Sequence, residues 1–193
     1  EGEVMEILLE DRAFYEQSGG GITLSGGDPT YQHEFSAELL KRCKKEGIHT
    51  AVDTCGAIPF EDLERAATYT DLFLYDLKLT DDAKHIEFTG ASNQDIIENL
   101  KKLTQIHDNI HLRMPIIEGV NAESSHIERT MELIGLNIKQ VDLLPYHSIA
   151  KHKYKKLGRE YEESRMQVPS QETMNHFRDM LAKKGYRQGG RNS

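Results

Sequence analysis

Five short runs of this 193-residue chain end in, or just before, a side chain that can ionise. Asp28 follows the run 22–25, and Asp53 lies in the run 50–54. Asp76 and Lys78 finish the run 72–78, Arg113 lies in the run 110–116, and His147 follows the run 141–145. In folds built from parallel strands, the carboxyl ends of the strands form the edge where ligands bind. A rim carrying carboxylates, one ammonium, one guanidinium and one imidazole suits a zwitterionic ligand with both an amine and a carboxylate. A single Asp after a strand is commonly a helix cap or turn residue. Taken alone, Asp53-Thr54 ahead of Pro59 or Lys78 ahead of Thr80-Asp81-Asp82 reads that way. Recurrence at five successive strand ends points instead to one shared opening.

The elements that would position those residues follow from periodicity. Val4, Met5, Leu8 and Leu9 recur at helical spacing, which predicts a helix over 4–15. Phe35, Leu39, Leu40 and Cys43 share a second helical face that Gly47 stops. Pro59 opens a third helix with Leu63, Ala66 and Ala67 inward, and Asn93 stands as N-cap to Ile96, Ile97, Leu100 and Leu103. Ile127 and Met131 mark another, and Ser170 caps a last helix with Met174, Phe177 and Leu181 inward. Pro115 cannot donate to a ladder and is expected to end its strand. Every gap between strands holds a helix-length pattern, so the strands should be parallel and the fold α/β, a single domain over 1–193. Periodicity leaves open whether the sheet is doubly wound or part of a (β/α) barrel.

Composition excludes several classes. Lys and Arg number 24 against 32 Asp and Glu, a net charge of −8, which argues against a nucleic-acid partner. No apolar run approaches the roughly 18 residues of a membrane span, and no secretory apolar segment opens the chain. Only Cys43 and Cys55 occur, so neither a disulfide framework nor a four-cysteine metal site fits, and a reducing cytoplasm is expected. The nine histidines show no HExxH spacing. Gly19-Gly20-Gly21 and Gly26-Gly27 match neither a GxxxxGK[ST] nor a GxGxxG loop; at Gly26-Gly27 the choice is between a plain tight turn and close backbone approach to a ligand. The opening Glu1-Gly2-Glu3-Val4, already inside an amphipathic pattern, reads as the middle of a longer protein.

The strand ends then resemble a known family. The segment 18–29, Ser-Gly-Gly-Gly-Ile-Thr-Leu-Ser-Gly-Gly-Asp-Pro, is similar to the GGGVTxSGGEP stretch of radical S-adenosylmethionine (SAM) proteins. The match is to the glycyl-radical-enzyme activating enzymes, the family of pyruvate formate-lyase activating enzyme. Cys43 to Thr50, Asp53-Thr54-Cys55-Gly56, Tyr75-Asp76-Leu77-Lys78, Leu144-Pro145-Tyr146-His147 and Lys153 to Gly158 look like further segments of that family, in order.

The resemblance implies a partial (β/α) barrel of the radical SAM type whose mouth binds SAM against a [4Fe–4S] cluster. The cluster is reduced by a donor such as flavodoxin or ferredoxin. SAM is then cleaved to a 5′-deoxyadenosyl radical, which takes a hydrogen from a glycine of a large glycyl radical enzyme. By position, Gly26, Gly27 and Asp28 would hold the SAM amino group and Lys78 its carboxylate. Asp53 and Asp76 would contact SAM or a monovalent cation completed by Thr54 and the carbonyl of Leu74. Arg113 and Pro115 would line the methionine and ribose side, and His147 and Ile149 would sit by the adenine and ribose. Asp28 stands where the family usually has Glu, and Ala150 where Gly is common. No CxxxCxxC motif is present, so the first strand and the cluster loop are expected upstream of Glu1, and the chain alone is expected to be inactive. Two other readings are a Schiff-base enzyme of aldolase type using Lys78 and a non-catalytic barrel remnant that docks a partner.

Overall fold

The computed structural model describes residues 2–134, 137–147 and 166–189. Five strands form one sheet: β1 (Gly21–Leu24), β2 (His49–Thr54), β3 (Leu72–Asp76), β4 (Ile110–Ile116) and β5 (Gln140–Pro145). All neighbours are parallel, and the order in space is the order in the chain. That order decides between the two architectures left open by periodicity. A doubly wound sheet reverses its strand order at a switch point. Here no reversal occurs among the described strands, and right-handed crossovers then deliver every connecting helix to the same face. A sheet covered by helices on one side only curls into part of a barrel.

The strands show the two faces directly. In β4, Ile110, Leu112, Met114 and Ile116 are wholly buried, whereas His111, Arg113 and Pro115 between them are half-buried. Phe73 and Tyr75 of β3 and Val141 of β5 lie on the same buried face. Against them pack α3 (His33–Lys45), α4 (Phe60–Ala67), α6 (Gln94–Ile106), α7 (Ser124–Ile134) and α8 (Gln171–Lys183), contributing Leu40, Leu63, Leu103, Ile127 and Phe177 to one core. Ser170 caps α8 as expected, accepting from the Thr173 amide at 3.0 Å. After α8 the chain returns to the sheet, where the Val141 amide donates to the Arg187 carbonyl at 2.9 Å and Gln188 bridges Val141 in parallel.

Three expectations need correction, and one helix was not foreseen. The helix over 4–15 is two helices, α1 (Gly2–Glu10) and α2 (Arg12–Ser18), because Asp11 turns out of helical geometry and its carbonyl takes the Phe14 and Tyr15 amides. Phe35 lies at the rim of α3, 36% exposed, while Leu39, Leu40 and Cys43 are buried. Helix α5 (Asp82–Thr89) gave no apolar stripe to detect, since His85 is its buried residue; Asp81 caps it, accepting from the Lys84 amide at 3.0 Å.

Pro115 is the third corrected expectation, and it lies inside β4 rather than at its end. Its backbone faces β3, as that of Arg113 does, whose carbonyl receives the Leu77 amide at 3.0 Å. Because β3 stops at Asp76, the proline closes the ladder between β3 and β4, while β4 runs on beside β5 as far as Ile116.

Candidate active site

Asp53, Asp76 and Arg113 come together on the half-buried face of the sheet. Register sets Asp53 beside Leu74, and Asp76 beside Arg113, so the three side chains rise from adjoining rows of one surface. The guanidinium of Arg113 bridges both carboxylates: Nε donates to Asp76 Oδ1 at 2.8 Å, and Nη2 bonds Asp53 Oδ1. Ser25, just past β1, donates to Asp53 Oδ2 at 3.1 Å. Four successive strand ends are thereby stitched into one polar floor.

The charges on that floor are not balanced by solvent. The three side chains are between 22% and 27% exposed. Burial raises the Asp76 carboxyl above its ordinary value and the Asp53 carboxylate adds to the rise, while Arg113 and Lys78 pull the other way without cancelling it. A carboxylate held against its own desolvation is suited to gain from an added cationic ligand group. Substituting Asp76→Asn should therefore leave the melting temperature at pH 7 unchanged or higher while weakening ligand binding. A clear fall in melting temperature would show that the charge stabilises the fold.

Asp28 is committed to the protein. Its Oδ1 accepts from the Thr30 amide at 3.1 Å and the Thr30 hydroxyl; its Oδ2 accepts from the Thr54 hydroxyl at 2.6 Å and the Cys55 amide at 3.0 Å. Burial alone would raise its carboxyl, but these hydrogen bonds from Thr30, Thr54 and Cys55 outweigh it and hold the group below the usual carboxylate value. The side chain thus caps the 3-10 turn 29–32 and ties the end of β1 to the end of β2. Gly26, in the bend between β1 and that turn, adopts φ +101°, where L side chains rarely go, and its Cβ position opens on free space. The exposed backbone of Gly26 and Gly27 is accessible at the mouth.

The remaining expected residues divide. Leu74 and Pro115 share the face of Asp53 and Arg113. Lys78 lies in the loop beyond β3 with its side chain exposed, and His147 is exposed two residues past β5. Thr54 points to the opposite, buried side, where its hydroxyl also receives the Gly56 amide at 2.9 Å. Ile149 lies outside the described residues. Sequence reasoning missed Ser25, and also His111 and Asp142, which occupy the same face beside Leu74 and Arg113. The period-two step from Arg113 to His111, with the register, was the signal that could have found them.

An exposed Lys78 is not the desolvated amine that Schiff-base chemistry needs, so the aldolase reading is set aside. The two cysteines form no iron–sulfur ligand set. Cys43 is wholly buried with its Sγ 3.7 Å from Met5 Sδ, and Cys55 sits beside Asp28. Among the described residues no three His, Cys, Asp or Glu side chains are placed to hold a metal ion.

A helix-backed parallel half-barrel with a charged mouth is the architecture of the class that the sequence matches: the radical SAM superfamily model covers residues 2–134. The relatives narrow the class. The trans-4-hydroxy-L-proline dehydratase activating enzyme of Clostridioides difficile is 45% identical over 183 residues, spanning 93% of this chain and 61% of that protein. The pyruvate formate-lyase 1-activating enzyme of Escherichia coli is 33% identical over 190 residues, spanning 96% of this chain and 77% of that protein. A crystallised domain of a pyruvate formate-lyase-activating enzyme from Bacteroides vulgatus superposes with a TM-score of 0.74 at 32% identity, covering 89% of this chain and 99% of that one. The chain belongs to the radical SAM superfamily and, within it, to the glycyl-radical-enzyme activating enzymes. It spans 53% to 61% of the length of the first relatives it matches.

Proposed function

We propose that this chain is the SAM-binding half-barrel of an enzyme that installs a glycyl radical on a partner of the pyruvate formate-lyase kind. The observation that carries the reading is the floor in which Arg113 bridges Asp53 and Asp76 below the exposed Lys78 and the open Gly26-Gly27 backbone. SAM fits that donor set: a carboxylate for Lys78, a cationic amine for the carbonyls of the Gly26-Gly27 turn that Asp28 holds in shape, and a sulfonium near the acidic pair. Arg113 and Pro115 line the methionine and ribose side, and His147 with Ile149 serve the adenine and ribose. A monovalent cation beside Asp53, Asp76 and the Leu74 carbonyl belongs to the same proposal and would share the two carboxylates with Arg113, whereas the Thr54 hydroxyl, turned to the buried side and bonded to Asp28, does not join it.

Bound SAM supplies, on one-electron reduction, the radical that abstracts hydrogen from a glycine Cα of the partner. The chain's own residues bind and orient it and keep water from the reacting end. A [4Fe–4S] cluster does not fit residues 1–193, whose two cysteines stand apart in a helix and a strand-end turn; its ligands, a flavodoxin or ferredoxin donor, and a cytoplasmic setting are proposals about the whole protein. All described strands join one sheet over one core, which supports a single domain. Among the described residues no helix is long and apolar enough to cross a membrane. A barrel that only docked a partner would leave the charged mouth without a purpose.

The test is equilibrium binding of SAM to the full-length, cluster-loaded protein. Saturable binding is expected, weakened when K⁺ is replaced by tetramethylammonium, and accompanied by a glycyl radical signal in the partner under reducing conditions. A protein that binds no SAM ends the reading.

A further inference from the structure

Three buried asparagines outside the charged floor grip backbone carbonyls of the loops that leave the strands. Asn99 donates to the carbonyls of Gly56 and Ile58 at 2.9 and 2.7 Å, beyond β2. Asn93, the predicted cap of α6, turns its side chain away and donates to the Leu79 carbonyl at 2.9 Å. Asn121 is the most committed. It is 2% exposed, its amide donates to the carbonyls of Lys78 at 2.9 Å and Pro115 at 2.8 Å, and its oxygen accepts the Ile117 amide at 2.7 Å. Both donors of the side chain are used, and both go to carbonyls of different strands' ends.

The place explains the need. The Leu77 amide on the Arg113 carbonyl is the last rung between the ends of β3 and β4, and Pro115 has no N–H with which to continue. Beyond that rung the backbone at Lys78 and the backbone at Pro115 face each other with two acceptors and no donor. Asn121 supplies both donors and replaces the missing rung. The root of Lys78 is thereby fixed relative to Arg113 and Pro115, although the lysine side chain itself is exposed.

We propose that Asn121 is a positioning residue of the ligand-binding mouth: it sets the backbone of Lys78 so that the ammonium meets the carboxylate of the bound amino-acid moiety, without itself touching the ligand. This inference rests on the SAM-binding reading above. Without Asn121 the two carbonyls stay desolvated and unpaired, and the loop after β3 shifts to find water. The ammonium then spreads over a larger volume, and its attraction to the carboxylate is diluted.

A double-mutant cycle separates this role from a merely structural one. Dissociation constants for SAM are measured on the full-length, cluster-loaded protein carrying Asn121→Ala, Lys78→Ala or both, well below the melting temperatures. Each single change is expected to weaken binding at least about fivefold, and the double variant to bind within about twofold of Lys78→Ala alone, since an absent lysine needs no positioning. Leu103→Ala, in the core of α6, should lower the melting temperature and leave SAM affinity unchanged. Losses that multiply in the double variant, or an Asn121→Ala that lowers only the melting temperature, overturn the proposal. So does a Leu103→Ala that weakens SAM as much. Asn121→Ser, with one donor for two carbonyls, enters the same cycle if the alanine variant does not fold. A wild type that fails to bind SAM removes the functional reading and this proposal together, whereas a binding wild type with multiplying losses removes this proposal alone.

Discussion

Replacing Arg113 with methionine should weaken SAM binding by more than about tenfold, ~1.4 kcal/mol, and destabilise the protein as well. Methionine keeps most of the aliphatic stem but removes the cation that serves both Asp53 and Asp76. Breaking one side of a buried charge pair costs about 3–5 kcal/mol, because the partner charge is left uncompensated. Here the side chains are 22–27% exposed, so the lower end or less is expected. The Asp76 carboxyl, already raised by burial, loses its strongest opposing contact and climbs further. A carboxyl whose pKa is raised in the folded state stabilises most when protonated, and that contribution fades as pH rises through the raised value. The melting-temperature gap between wild type and Arg113→Met should therefore be small at pH 5 and wide at pH 8. Asp28 has the opposite sign, its depressed carboxyl stabilising above the usual carboxylate range and failing in acid, but it is common to both proteins and cancels. A gap that narrows with rising pH, or SAM affinity within twofold of wild type, would sink the assignment of Arg113 as the link between the acidic strands.

The largest effect on folding is expected at Gly56. Its φ is +69°, and a Cβ built there falls 1.8 Å from the hydroxyl of Tyr75. That tyrosine is wholly buried and donates to the Ile96 carbonyl at 2.6 Å, so it cannot swing aside without giving up a buried hydrogen bond. Left-handed backbone in a residue with a side chain costs about 1–3 kcal/mol. Overpacking adds about 1–3 kcal/mol more. Gly56→Ala should thus lose about 2–6 kcal/mol in urea unfolding, with the slope of the transition unchanged. A loss under about 0.5 kcal/mol would mean that the turn after β2 relaxes freely, and that the close contact with Tyr75 is not what sets it.

Much of this architecture was legible in the residues. Short β-prone runs separated by helix-length apolar stripes announce parallel strands, and Ser170, Pro59 and the 96–103 stripe mark real helix boundaries and faces. What escaped detection did so for physical reasons. Helix α5 buries a histidine instead of an apolar stripe, so hydrophobic periodicity is blind to it. Asp11 interrupts a continuous apolar pattern through backbone geometry alone. Periodicity could not tell an open sheet from a barrel, since that difference lies in strand order.

The candidate site was half visible. Asp53, Asp76 and Arg113 could be read as charges at strand ends, and the structure joins them. That Asp28 would bind its own protein and not face the mouth could not be read, because its partners Thr30 and Thr54 approach from the turn it caps and from another strand. The asparagine at 121 was silent for the same reason. Its targets, at positions 78 and 115, are backbone atoms, which carry no sequence signature.

The return of the chain to β5 after α8 has a practical side. Arg187 and Gln188 cover the outer border of the last strand at Val141, where a bare amide would otherwise invite a stranger's strand to zip on. A shortened version that stopped at Lys184 would turn a finished hem into a raw selvedge, and the molecules would have a reason to find one another.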